Sequence, residues 1–392
     1  MNVLTLNAGS NSLKFDLIEA SPAQATPMAG RRLTSGTVED IGSHSELTRG
    51  ERTDNVEATS YAQAAEHALS AIRDGGERVD LVAHRVVHGG SDFTTPVAID
   101  NEVLAAIARW EEAAPLHNAP ALEIIRHVQE ALAVPGVAVF DTAFHSNIPP
   151  VAFTYALPWQ MARELHIRRY GFHGISHRYQ LLQYAALNDV PANKPRLVTL
   201  HLENGSSAAA IRDGHSIDTS MGFTPLEGLA MGTRCGDIDP AIVTYIARKR
   251  QMSLEDVERV LNRESGLLGL SGISNDTRVL SHRLDEERAR LALEVFSYRV
   301  TKYVSAYLSV LGGADAVVFS GGIGENTPFV RGYVCERLRW CGLELDADRN
   351  VSVLKGDVRV SQSGSRVHAW VIHSDEALML AHEAATHHAS SQ

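Results

Sequence analysis

Near the start of the chain, the polar segment Asn7-Ala8-Gly9-Ser10-Asn11-Ser12-Leu13-Lys14 stands between two apolar runs, Val3-Leu4-Thr5-Leu6 and Phe15-Asp16-Leu17-Ile18. These residue types suit an anion. Gly9 lets the backbone come close, Ser10 and Ser12 offer hydroxyl donors, Asn7 offers an amide, and Lys14 adds a point charge. The pattern predicts a strand, a polar turn and a second strand, a hairpin that holds phosphate. Two more polar turns follow apolar strands directly: Glu203-Asn204-Gly205-Ser206-Ser207 after residues 197–202, and Gly321-Gly322-Ile323-Gly324-Glu325-Asn326 after residues 314–319. One glycine turn is weak evidence, but three in such settings point to a nucleotide cleft. None has the spacing of a Walker A loop, and the third lacks the Gly-x-Gly-x-x-Gly of a dinucleotide site.

Phosphoryl transfer asks a protein for cations around the moving group, a magnesium site and in-line positioning. Arg85 interrupts the apolar run Val79 to Val87, and Arg234 lies in the glycine-punctuated loop Met231 to Pro240. A guanidinium in a buried strand is costly without an anionic partner, which sets Arg85 apart from ordinary surface charge. His173 and His177 stand four apart, the spacing of two ligands on one helix face, yet no His-Glu-x-x-His pattern or third ligand accompanies them. A histidine donating to a transferring phosphoryl group fits His173 better, with His177 read as a structural histidine. Among 47 acidic residues, Asp141 and Glu376 are the best placed for magnesium, because each follows a strand.

The elements that must position these groups alternate between strands and helices, which predicts an α/β fold. Residues 21–60 read as edge strands and exposed turns, residues 79–88 as a strand, and residues 101–112 and 119–133 as helices separated by Pro115 and Pro120. Residues 136–142 form a strand ending at Asp141. The second half then starts over: residues 197–211 repeat the opening hairpin, and a strand at 314–319 runs into Gly321-Gly322 much as 79–88 runs into Gly89-Gly90. A long amphipathic helix, roughly 285–311, stops at Gly312-Gly313. Two duplicated domains facing a cleft are the expected architecture.

At 392 residues, with 44% hydrophobic residues, the chain has material for two cores. Its net charge of −11 argues against sequence-independent binding to nucleic acid, so an anionic substrate must be met by a few local cations. Three cysteines without paired spacing read as reduced thiols. No signal-like segment or run of about 18 uncharged apolar residues occurs, and a soluble, cytoplasmic protein without membrane partners is expected.

Over essentially its whole length the chain resembles the acetate kinases, of the acetokinase group in the actin, Hsp70 and sugar-kinase superfamily. The resemblance is carried by Asn7 to Phe15, His84 to Gly90, Pro115 to Asn118, Phe140 to His145, Tyr170 to His177, Asp218 to Gly228, Gly232 to Pro240 and Gly322 to Asn326. It implies two domains of the actin-like ATPase, ribonuclease H-like type. Residues 1–145 plus 379–392 would form the acyl-substrate side with the first phosphate hairpin, and residues 146–378 the nucleotide-binding and dimerisation side. It implies reversible, direct, in-line transfer of the ATP γ-phosphoryl group to acetate, giving acetyl phosphate and ADP with Mg²⁺ or Mn²⁺, in a homodimer. Arg85 and Arg234 would hold the carboxylate and the transferring group, His173 would stabilise its equatorial oxygens, and Asp141 would position the arginines. Asn7 and Glu376 would order the metal and its waters. Val87, Leu116, Phe172 and Pro225 match the methyl pocket. Ser12, Lys14, Asn204, Gly205, Gly322, Ile323, Gly324 and Asn326 would line the phosphates, and Asp276 and Arg278 the nucleoside.

Two positions depart from the family pattern: Asn11 replaces a serine, and Glu203 replaces the first glycine of a Gly-Asn-Gly loop. Glutamate adds bulk and negative charge near a polyphosphate. Alternatives therefore stay open: a kinase of propionate or another short carboxylate, a pyrophosphate-using variant, or a nucleotide-binding module without transfer activity. One methylene in an apolar pocket shifts preference by only about 1–3 kcal/mol.

Overall fold

The structure, a computed structural model, describes residues 1–9, 11–21, 30–111, 115–352 and 356–391, with residues 115–117 described by their backbone alone. Ser10 and the side chain of Leu116 lie outside the described residues. The chain divides into two compact units, Met1–Ser146 with Gly174–Leu182 and Asp375–Gln392, and Asn147–His173 with Gln183–Ser374.

The first unit is built on one sheet of eight strands: β1 (Asn2–Ala8), β2 (Leu13–Glu19), β3 (Arg31–Glu39), β4 (Glu46–Arg49), β5 (Arg52–Asn55), β6 (Leu81–Val86), β7 (Val97–Ala98) and β8 (Gly136–Phe140). Their order is β5-β4-β3-β2-β1-β6-β8-β7. The opening hairpin forms as expected, with Asn7 opposite Lys14, while β1, β6 and β8 run parallel. Leu4, Leu6, Phe15 and Leu17 pack with Ala64, Ala68 and Leu69 of the helix Tyr61–Asp74 and with Ile124 and Val128 of the helix Pro115–Ala131. The first of these helices has no counterpart in the sequence reading, because its buried stripe is mostly alanine and gives a weak apolar period. The proline expectation is corrected as well. Pro115 opens its helix, where a missing N–H costs nothing, and Pro120 lies inside the same helix rather than before it. The helix Glu376–Ser390 packs against β1, β6 and β8.

The second unit holds β9 (Leu197–Leu202), β10 (Ser206–Arg212), β11 (His215–Thr219), β12 (Ala316–Ser320), β13 (Val358–Arg359) and β14 (His368–Val371), ordered β11-β10-β9-β12-β14-β13. This repeats β3-β2-β1-β6-β8-β7 strand for strand: a hairpin, a third antiparallel strand, two parallel strands and a short antiparallel one. The duplication read from the sequence is thus present in the topology. The helix Glu287–Leu311 buries Leu293, Phe296, Val300 and Val304 in the core and ends at Gly312 in the left-handed conformation. The third glycine turn differs from expectation. After Ser320 the chain closes into a short helix, Gly321–Asn326.

Candidate active site

In the first unit, β6 breaks its apolar run at Arg85 and β8 ends just before Asp141, at the carboxyl ends of parallel strands where α/β sheets place ligands. The Asp141 amide donates to the Val86 carbonyl at 3.0 Å, which keeps the two residues adjacent. Arg85 then grips Asp141 with two nitrogens, Nε to Oδ1 at 3.2 Å and Nη2 to Oδ2 at 2.5 Å. Asp141 is fully buried and the Arg85 side chain only 14% exposed, so the charge pair is largely shielded from water. Arg85 also donates through Nη1 to Asn7 Oδ1 at 2.8 Å, and Asn7 Nδ2 donates to Glu376 Oε2 at 3.0 Å. The chain Asp141–Arg85–Asn7–Glu376 unites four of the expected residues.

Glu376 opens the helix Glu376–Ser390, whose first turn favours negative charge, and Asp375 caps that helix by accepting from the Leu378 amide at 3.0 Å. Arg32 fastens this corner, donating to Asp375 at 2.9 Å and to Asp16 at 2.5 Å. In the hairpin turn Gly9 N donates to the Ser12 carbonyl at 2.8 Å, Ser12 is half-buried, and Lys14 is exposed. Val87 is buried just beyond β6. His177 is buried against His145, ring centroids 5.7 Å apart, in keeping with a structural role.

In the second unit, His173 takes φ +59° just ahead of the helix beginning at Gly174, so it does not share a helix face with His177. A non-glycine residue in that region carries strain, which concentrates at functional positions. Its Nδ1 lies 2.9 Å from Ser207 Oγ, and its ring lies 4.3 Å from that of His201, centroid to centroid. A Cβ on Gly205 would fall 3.2 Å from Arg234 Nη1 and 3.4 Å from the His173 ring, so the missing side chain is what lets these two groups converge on the β9–β10 turn.

Arg234 donates only to neutral acceptors, the Pro225 carbonyl at 3.2 Å and Met231 Sδ at 3.8 Å. Among the described residues no carboxylate pairs with it, and burial pulls its guanidinium below the ordinary arginine range. The same turn reaches further. The Asn204 carbonyl accepts from Gly232 N at 3.0 Å, Asn204 Oδ1 accepts from Asn275 at 3.2 Å, and Glu203 Oε1 accepts from Gly322 N at 3.2 Å. Asn326 returns a hydrogen bond to the Gly322 carbonyl at 3.0 Å, while Ile323 and Gly324 are buried. Phe172 is buried beside His173 in sequence. Asp276 caps the helix Thr277–Ser281 and pairs at 2.7 Å with the exposed Arg278.

Sequence reasoning missed the groups that hold this half of the site. Arg169 donates to Glu227 at 2.5 Å and to the carbonyls of Thr219, Ser220 and Met221, each at 3.0 Å, and Tyr155 donates to the other Glu227 oxygen. Burial and the Glu227 charge push the Tyr155 phenol well above its usual range. Tyr303 donates at 2.6 Å to Asp237, whose Oδ1 accepts from Gly228 N at 2.9 Å. These bonds pin both ends of the loop that carries Pro225 and Arg234. Buried Arg331 likewise donates to the carbonyls of Gly324 and Glu325, both at 2.8 Å, and burial lowers its guanidinium to about 10. The available signals were His201, an ionisable ring in a strand buried along its whole length, and Ser207, beside Ser206 at the start of the strand that pairs with it.

The acetokinase family model matches residues 2–382. The chain belongs to the acetokinase family. It is a kinase whose phosphoryl acceptor is a carboxyl group. The chain is 44% identical to the acetate kinase of Chloroherpeton thalassium, covering 98% of each chain. Among solved structures it is similar to Porphyromonas gingivalis acetate kinase, at 36% identity, TM-score 0.90 and coverage of 98% of this chain and 99% of that one. It is also similar to a Francisella tularensis propionate kinase, at 37% identity, TM-score 0.90 and coverage of 97% and 98%. For this acetokinase the α/β fold with duplicated sheets follows from the topology and from the likeness to a solved acetate kinase.

Proposed function

We propose that the chain transfers the ATP γ-phosphoryl group reversibly to acetate, giving acetyl phosphate and ADP. The observation that carries this reading is Arg234, a partly buried guanidinium with no carboxylate partner among the described residues, converging with His173 on the Gly205 turn. A desolvated cation without an anion is costly, and a bound phosphoryl or carboxylate group supplies the missing partner. Arg85, already oriented by Asp141, takes the acetate carboxylate and the transferring group together with Arg234. His173 donates to an equatorial oxygen, its ring set by Ser207 on Nδ1. Asp141 touches no substrate in this scheme; it holds the Arg85 fork. Val87, Leu116, Phe172 and Pro225 are the residues we assign to the acetate methyl. Ser12, Lys14, Asn204, Gly205, Gly322, Ile323, Gly324 and Asn326 line the phosphates, with Asp276 and Arg278 toward the nucleoside. On this reading the first unit presents the acyl substrate and the second binds the nucleotide.

Magnesium suits the Glu376 carboxylate, a hard oxygen donor of the kind that Mg²⁺ uses singly or in pairs alongside waters and phosphate oxygens. Glu376 would hold it, with Asn7 ordering the carboxylate through the 3.0 Å hydrogen bond. When bound, magnesium neutralises charge on the phosphate oxygens. We further propose a cytoplasmic homodimer without nucleic-acid or membrane partners. No helix among the described residues is long and apolar enough to cross a membrane. In support of the dimer, the helix Ala241–Arg250 buries none of its residues, leaving Ile242 and Tyr245 exposed.

The test is a donor and acceptor matrix on the purified protein: ATP or pyrophosphate, with acetate, propionate or butyrate, trapping acyl phosphate with hydroxylamine. ATP with acetate should give the highest kcat/KM. A higher value for propionate, or product from pyrophosphate alone, would replace the corresponding substrate.

A further inference from the structure

Glu203 is the one acidic side chain on the turn where Asn204, Gly205, His173 and Arg234 converge. Its carboxylate does not turn away from that turn. Oε1 accepts the Gly322 amide at 3.2 Å, and Oε2 stands 4.0 Å from His201 Nε2, on the ring that packs at a 41° tilt against that of His173. The side chain also needs room on the facing loop. A Cβ on Gly321, which has φ +78°, would lie 2.8 Å from Glu203 Cγ, so the glycine there accommodates the glutamate as well as the backbone. The turn itself is braced, with Glu203 N donating to the Gly205 carbonyl at 3.1 Å and Ser206 Oγ to the Glu203 carbonyl at 2.9 Å. The Glu203 backbone is therefore held in place, with roughly half its side chain, 49%, open to solvent.

We infer that Glu203 is a specificity-determining residue that opposes polyphosphate binding by holding, with its own carboxylate, a glycine-loop amide that a donor's phosphate oxygen must take. The inference rests on the phosphotransfer reading above and deepens it. A backbone N–H has one hydrogen to give. While Oε1 accepts it, a phosphate oxygen arriving at Gly322 meets a like charge at hydrogen-bond distance from its intended donor. Binding then requires the Glu203 side chain to swing toward solvent, which its exposure permits. The conflict grows with the charge carried by the donor at that end, so the residue sets which polyphosphate is favoured and how tightly. Glutamine at this position would keep the acceptor oxygen and remove the charge, and glycine would remove both.

Isothermal titration of wild type, Glu203→Gln and Glu203→Gly with ADP and, separately, with inorganic pyrophosphate tests this without relying on turnover, and thermal melting reports whether each variant is folded. Both variants should bind at least one probe about fivefold tighter or more, because the like charge is gone. A gain with ADP names the nucleotide as the ligand Glu203 opposes, and a gain confined to pyrophosphate names the inorganic donor; either supports the inference. Unchanged or weaker binding of both probes by both folded variants overturns it and leaves Glu203 as a brace for the Gly322 loop. If wild type forms acyl phosphate while the variants show no gain, only this inference falls. If wild type forms none, the phosphotransfer reading falls, whatever the titrations show.

Discussion

Arg85 and Arg234 carry the same charge and are assigned to the same reaction, yet the two units hold them in opposite ways. Arg85 is matched before any substrate arrives: a buried carboxylate grips two of its nitrogens, and an amide oxygen takes a third. Among the described residues Arg234 has only a carbonyl and a thioether. The first arrangement stabilises geometry, since a neutralised guanidinium can be held rigidly in a shielded place. The second stores attraction, since a desolvated cation without a counter-charge gains most from an incoming anion. Orientation and affinity are thus divided between two residues rather than combined in one.

The largest expected effect is on turnover. Arg85→Ala and Arg234→Ala should each lower kcat/KM for acetate by about 10³-fold, the scale seen when a transition-state cation is removed. A loss below about tenfold in either would strike that arginine from the reaction.

Stability should separate the two more sharply than activity. Asp141→Ala leaves Arg85 without its buried partner and should cost about 3 kcal/mol in denaturant unfolding. Arg234→Ala removes an unmatched cation and should leave the melting temperature unchanged or raised. Equal destabilisation by the two variants would break the contrast.

The smallest effect concerns pH. β6, which carries Arg85, also carries His84, buried with no hydrogen-bond partner for Nε2 among the described residues and held down to about 3 by desolvation. β12, its counterpart in the second unit, has no titratable side chain. The unfolded chain takes the His84 proton near pH 6.5, whereas the folded chain resists it until about 3. The stabilisation from a neutral His84 is therefore complete above about 6.5 and is lost as pH falls, by up to about 1.4 kcal/mol per pH unit. His84→Leu should flatten the fall in melting temperature between neutral and mildly acidic pH; an unchanged slope would assign that fall to other groups.

Much of this was legible in the residues alone. Arg85 stands out because a polar group inside an apolar run must be excused by a partner, and the three glycine turns stand out because each follows such a run. What could not be read were the supports. Arg169, Glu227 and Tyr155 lie in segments with no distinctive period, Tyr303 is one polar-tipped ring on the long amphipathic helix, and nothing local indicates that Glu227 receives both Arg169 and Tyr155. The alanine stripe of the helix Tyr61–Asp74 was invisible for a related reason, since small side chains give little apolar contrast.

By itself, then, the sequence determined the strand and turn pattern, its duplication and the family, because apolar runs, glycine turns and motif spacing act over a few residues. Tertiary structure alone decided who neutralises whom. Arg85 meets Asp141 across 56 residues and Asn7 meets Glu376 across 369, and those distances are closed by the order of strands in a sheet and the packing of a helix upon it. Whether a charge finds a partner depends on that closure. Two arginines alike in sequence therefore end as one that is matched and one that waits for an anion.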